Sequence, residues 1–190
     1  MGVGVYTDYL IQTSNLSRMQ ISMTYMTGTI LSSLLLPLAG RYYDILGARI
    51  MIVFAGIGLG FSLLLFSETS TLIQLLQSIF PDLSTVSIEL LVMTVIFLLL
   101  RQFGQGIMAM VCRNTLAKWF ERRRGLVSGI SGIFVAFSFS GAPLFMNIFI
   151  EDYGNSGSMV LMAIIFGFGM AFVGWLFFRD NPEECGLLMD

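Results

Sequence analysis

The chain contains no histidine and only two cysteines, Cys112 and Cys185, among its 190 residues. The first absence removes the commonest metal ligand and the side chain that most often moves protons near neutral pH. Two cysteines supply neither a disulfide framework nor a zinc site. Charge is equally scarce. Asp, Glu, Lys and Arg make up 12% of the residues, where a soluble domain carries about a quarter. No G-x-S-x-G run occurs, and no paired carboxylates lie within an apolar stretch, so the groups of a hydrolytic site are missing. An enzyme, a cofactor, a bound metal and a nucleic-acid partner are therefore not expected.

Apolar side chains are abundant instead. Hydrophobic residues reach 56% and mean hydropathy is +0.83. A water-soluble fold of this length has too little interior to hide so much apolar surface, so the bilayer is the expected partner. The apolar runs fall at about 20–40, 47–66, 90–112, 125–149 and 157–178. Each is long enough to cross a hydrocarbon core of about 30 Å as a helix. Unbroken runs such as "VMTVIFLLL" exclude barrel strands, which alternate residue by residue. The first twelve residues are apolar but too short to cross, and they carry no basic leader. They read as the remnant of a first span. The fold class expected is all-α, a polytopic membrane helix bundle filling 1–190, with a polar tail over 179–190.

Basic residues orient the bundle. Arg41, Arg49, Arg113, Lys118, Arg122, Arg123, Arg124 and Arg179 share one side, and Arg18 alone falls among connectors on the other, with Glu68, Asp82, Glu89, Glu151 and Asp152. The basic side, including the connectors 41–49 and 113–124 and the C-terminus, is expected to be cytoplasmic. Bacterial inner membrane and plasma membrane fit equally. On the opposite side, Leu72, Ile73, Leu76, Ile79 and Phe80 recur at helical spacing within a long connector. A short helix in the headgroup region and a loop packed on its neighbours both satisfy that pattern.

The connector "GRYYDILGAR" (40–49) reverses the chain between two spans. Gly40 permits close backbone approach. Asp44 places a carboxylate before the next helix, where free N–H groups favour negative charge. Gly47 supplies freedom for a sharp turn, and Arg49 anchors the helix start. These residues resemble the major facilitator superfamily, whose turn between the second and third helices runs G-x-L-A-D-R-x-G-R-R/K. Gly40, Asp44, Gly47 and Arg49 match in order and spacing, while Ile45 and Ala48 replace basic residues.

Two further stretches resemble the same family. "RQFGQGIMAM" is similar to its fourth-helix motif R-x-x-Q-G-x-G, with the order shifted to Arg101, Gly104, Gln105 and Gly106. Arg101 lies twelve residues before Arg113, about 18 Å along a helix. It thus falls near mid-bilayer, where an arginine costs at least about 2.5–3.5 kcal/mol. None of the five complete runs holds an Asp or Glu to offset it. A cation facing the cavity and a structural tie between helices both fit Arg101, with Gln105 as its companion.

The run "KWFERRRGLVSGISG" (118–132), the "GAP" of 141–143 and "NPEECGLL" (181–188) resemble the monocarboxylate-porter and oxalate/formate-antiporter branch. Gly125, Gly129 and Gly132 form a small-residue stripe suited to close packing, Gly141 continues the small positions, and Pro143 is expected to bend the fifth span. Asn155 and Ser156 stand where that branch has Trp and Arg.

The resemblance implies the N-terminal, six-helix half of a transporter built from two such halves, with its first helix truncated and a small solute bound between the halves. It further implies alternating access, an organic anion such as a monocarboxylate, a cavity at Arg101 and a cytoplasmic gate at Gly40, Asp44, Gly47 and Arg49. A C-terminal half or a second copy would then be needed for transport. Two alternatives are a half-size transporter acting as a homodimer and a membrane protein that moves no solute.

Overall fold

A computed structural model describes residues 10, 11, 14 and 16–186, the side chain of Glu184 excepted. The remnant span expected over the first twelve residues lies outside the described residues, apart from Leu10 and Ile11. Among the described residues there is no strand, and three helical rods are long and apolar enough to cross a membrane: Arg18–Ser67, Thr85–Trp119 and Arg124–Phe177.

The first rod, α1 (Arg18–Ser67), begins with a reciprocal cap. Ser17 Oγ accepts the Gln20 N–H at 3.3 Å, and Gln20 Oε1 accepts the Ser17 N–H at 2.8 Å, satisfying two groups that the first turn leaves unpaired. Two spans share this rod. They are separated at Gly47, whose φ of 82° and ψ of 173° lie outside the helical region. The short helix α2 (Thr69–Ile79) follows on the opposite side. Ile73 is buried there and Leu72 and Leu76 pack against the core, while Ile79 and Phe80 stay exposed. The connector therefore forms a helix, and that helix packs on its neighbours.

The second rod runs without interruption through α3 (Thr85–Leu100), a π-helical segment π1 (Arg101–Met108) and α4 (Ala109–Trp119). Ser84 caps its start by accepting the Ser87 N–H. The third comprises α5 (Arg124–Met162), a second π segment π2 (Ala163–Phe168) and α6 (Gly169–Phe177). Its one departure from helical backbone is Gly154, at φ 71°. Pro143 sits within helical backbone, and the chain reverses at Gly154.

Apolar burial stops well short of the apolar supply. Phe134, Phe137 and Phe145 on α5 are all at least 60% exposed, as expected of a surface wetted by lipid tails. Between helices the tight contacts are made by glycine. A Cβ on Gly167 would come within 2.6 Å of the Gly60 nitrogen, one on Gly56 within 2.7 Å of the Ala171 nitrogen, and one on Gly28 within 2.9 Å of the Leu98 nitrogen. Backbone meets backbone at these crossings, which is how helices gain van der Waals contact where lipid offers no hydrophobic drive.

Gly125, Gly129 and Gly132 differ from those three. A Cβ at any of them would meet nothing within 4 Å among the described residues, so the close approaches within this chain are made at other glycines. Gly104 and Gly106 have only Leu59 and Leu36 side chains and local atoms near them, and Gly141 meets Phe145 of its own helix. The crossings give a first prediction. Gly167→Ala presses a methyl group onto backbone that no rotamer change can move aside, at a cost near the upper end of the 1–3 kcal/mol typical of overpacking, about 3 kcal/mol. Gly129→Ala, facing open space, costs little and gains about 0.5–1 kcal/mol of helix preference. Thermal unfolding of the two variants in detergent, followed by circular dichroism, checks the contrast.

Candidate functional site

Arg101 opens π1, near the middle of the 35-residue rod Thr85–Trp119. A π turn is a wide turn and often marks a functional position in a helix. Here it carries Arg101, Gln102 and Gln105, which follow the apolar run 95–100. Arg101 is half-buried. Its guanidinium donates from Nη1 to the Tyr25 hydroxyl at 3.3 Å, and its central carbon lies 5.5 Å from the Tyr25 ring centroid. The ring is itself held edge-on by Phe97, with centroids 5.5 Å apart at 83°. A cation on an aromatic face gains about 0.5–2 kcal/mol, more as water is excluded, so Tyr25 offsets part of what the arginine costs at this depth.

The next residue, Gln102, is buried and its Oε1 accepts the Ser32 hydroxyl at 2.9 Å. Tyr25 and Ser32 are two helical turns apart on α1 and so share a face. That face meets both Arg101 and Gln102. Gln105, the expected companion of Arg101, is exposed and makes no hydrogen bond among the described residues. The side chain that joins the polar face is Gln102, which the fourth-helix motif did not single out.

A buried carboxylate also emerges. The connector reading set Glu89 outside the span, but the helix begins at Thr85 and Glu89 is 3% exposed within it. It precedes Arg101 by twelve residues on the same rod, about 18 Å. That distance excludes a direct ion pair between them. Among the described residues, the Tyr25 hydroxyl is the hydrogen-bond partner of the Arg101 side chain.

At the basic end, the turn after Gly40 is organised by a residue 131 positions away from Arg49. Asp180 Oδ1 accepts the Arg49 backbone N–H at 3.1 Å. This carboxylate caps the first turn of the span that follows Gly47, which suits the positive end of a helix. Asp44, placed by the motif to do this, is exposed and has no hydrogen-bond partner among the described residues. The Arg49 side chain secures the same junction: Nε donates to the Trp175 carbonyl at 2.9 Å, and the guanidinium lies 5.8 Å from the indole centroid. The Asp180 carboxylate fills the volume a side chain at residue 47 would need. A Cβ there would stand 2.6 Å from its Cγ and 2.8 Å from Oδ2. Gly40, by contrast, faces open space.

Among the described residues no three His, Cys, Asp or Glu side chains gather as metal ligands. The groups gathered at the Arg101 face are a half-buried cation, an amide and hydroxyls. A sequence model of the Major Facilitator Superfamily matches residues 1–186. No curated protein and no solved structure matches the chain.

Proposed function

Because the chain belongs to the major facilitator superfamily, a family of membrane transporters, we propose that it carries a small organic anion, most simply a monocarboxylate, across the membrane by alternating access. One observation carries the anion reading. Arg101 holds a full positive charge at the middle of an apolar rod, and the partners it has among the described residues are a ring and a neutral hydroxyl. A carboxylate solute would complete the pairing and gain a charge-assisted hydrogen bond in a low-dielectric site. Gly40, Asp44, Gly47 and Arg49 then serve as the cytoplasmic gate, with Asp180 holding its geometry.

Uptake into proteoliposomes, measured with a panel of labelled solutes at matched concentration, tests this. Small carboxylates are expected to be accumulated and to compete with one another. Uptake restricted to neutral or cationic solutes would overturn the anion assignment. A second reading, two copies working together, draws support from one feature: the open stripe of Gly125, Gly129 and Gly132. A disulfide between copies at Ser128→Cys, formed in membranes, is the outcome that reading requires.

A further inference from the structure

The basic end of the bundle holds a constellation apart from the Arg101 face. Among the described residues, three side-chain donors are buried without a hydrogen-bond partner: the Tyr43 hydroxyl, the Thr115 hydroxyl and the Trp119 indole N–H. Tyr43 is only 2% exposed. Buried donors are normally satisfied, and each exception calls for an explanation.

Lys118 links the three. Thr115, Lys118 and Trp119 stand at i, i+3 and i+4 on α4, so they share a face. Lys118 Nζ lies 5.2 Å from the Tyr43 ring centroid, which turns that face toward Tyr43. An indole N–H and an ammonium can only donate. The group they fit must therefore accept several hydrogen bonds and carry negative charge, as a phosphate does.

Farther from the basic end lies a cleft of about 450 Å³ whose lining, including Leu38, Tyr42, Ile50, Phe54 and Ile107, is almost wholly apolar, with Gln102 in its wall. That volume is in the range of small-ligand pockets, roughly 300–1,000 Å³. Tyr42 adjoins Tyr43 in the chain, and Ile107 precedes Thr115 by eight residues, about 12 Å along the rod. The cleft and the donors thus lie along the same two helices, with the donors nearer the basic end. Arg41 and Arg113 flank the same end, and such juxtamembrane cations attract anionic lipids.

We propose that this end binds one anionic phospholipid, with an acyl chain in the cleft and the phosphate oxygens on Lys118, Trp119, Tyr43 and Thr115. The three donor atoms are closed to water in this structure. Lys118, on a flexible stem over Tyr43, is the side chain that a phosphate would draw aside on entering. The cleft shares Gln102 with the Arg101 face, whereas the four headgroup donors lie outside that face, so the test below reads lipid and not solute.

Quenching of Trp119 by bromine tests the proposal directly. The chain has two tryptophans, so Trp175→Phe leaves Trp119 as the single indole while keeping the carbonyl that Arg49 uses. Protein reconstituted with phosphatidylglycerol brominated on its acyl chains is expected to be quenched at roughly a fifth to a tenth of the mole fraction needed with brominated phosphatidylcholine, a preference of about 5–10-fold of the kind charge-assisted hydrogen bonds give. Lys118→Gln and Tyr43→Phe should each erase most of that preference. Equal quenching by both lipids would overturn the site, leaving ordinary solvation by the bilayer. A preference retained in Tyr43→Phe would also overturn it, because the hydroxyl would then be unpaired with lipid bound. Thermal stabilisation of the detergent-solubilised protein by inorganic phosphate alone, equal to that by phosphatidylglycerol, would assign the cluster to a soluble anion and overturn the lipid.

Discussion

Gly47→Ala is expected to destabilise the protein by roughly 2–5 kcal/mol, more than any other single change at the basic end. Two separate costs add. The backbone at residue 47 has φ 82° and ψ 173°, a region open essentially to glycine alone, and forcing an L-residue there costs about 1–3 kcal/mol. The new methyl group would also fall where the Asp180 carboxylate sits. Displacing that carboxylate removes the cap on Arg49, worth about 0.5–2 kcal/mol. At about 2–4 °C per kcal/mol for a chain of this size, the unfolding temperature in detergent should fall by on the order of 10 °C. A double-mutant cycle separates the terms. Asp180→Ala alone loses the cap, and in that background Gly47→Ala should cost only its backbone share, so the two changes together fall short of their sum. Strict additivity would mean that Asp180 does not occupy this corner. Asp180→Asn, which keeps an oxygen to accept the Arg49 N–H, should be close to neutral.

The same corner shows what the amino-acid sequence could and could not reveal. Gly47 was legible because a tight reversal between two apolar runs is a local event, written in adjacent residues. Its second reason was not legible. Asp180 lies 131 residues from Arg49, and no spacing rule connects positions so far apart. The motif pointed to Asp44 as the acidic residue at the turn, whereas packing of the third rod against the first delivered a different carboxylate to the helix start.

Glu89 is a contrasting case, since a signal for it existed. Ser84 is a strong N-cap residue followed by Thr85 and Val86, and a helix beginning there carries Glu89 inside it. Reading the span from the first unbroken apolar run, at residue 90, left the carboxylate one position outside. Gln102 was hidden for a geometric reason. Adjacent residues on an ordinary helix point about 100° apart, and the motif resemblance singled out Gln105 as the companion of Arg101. The π segment lets Arg101 and Gln102 both reach span residues 25 and 32. The glycine stripe of α5 meets no neighbour among the described residues. Small residues state how closely a neighbour can approach, and not which neighbour does so. The close approaches were taken by Gly28, Gly56, Gly60 and Gly167, while Gly125, Gly129 and Gly132 remain open.

Arg101→Ala separates a cation kept for a solute from one kept for packing, because the two roles predict different changes in stability. An arginine near mid-bilayer costs about 2.5–3.5 kcal/mol on insertion scales. The Tyr25 contacts roughly balance that cost, with about 0.5–2 kcal/mol from the ring and about 1.5 kcal/mol from a hydrogen bond that is long at 3.3 Å. If the guanidinium exists to meet an anion, alanine should leave the unfolding temperature unchanged or raised. Uptake per molecule in the membrane should then fall by about 10–150-fold, the equivalent of one charge-assisted hydrogen bond at 1.4 kcal/mol per factor of ten. Arg101→Lys should fall between, since it keeps the charge and loses the planar fork that pairs with a carboxylate. Tyr25→Phe keeps the ring and removes the hydroxyl, so it should weaken uptake modestly by loosening the orientation of the guanidinium. A structural tie predicts the reverse pattern. Arg101→Ala and Tyr25→Phe would both lower the unfolding temperature, and uptake would track the amount of protein in the membrane with no loss per molecule. Measuring unfolding and uptake on the same preparations decides between the two, because only the structural tie makes loss of the guanidinium lower the unfolding temperature.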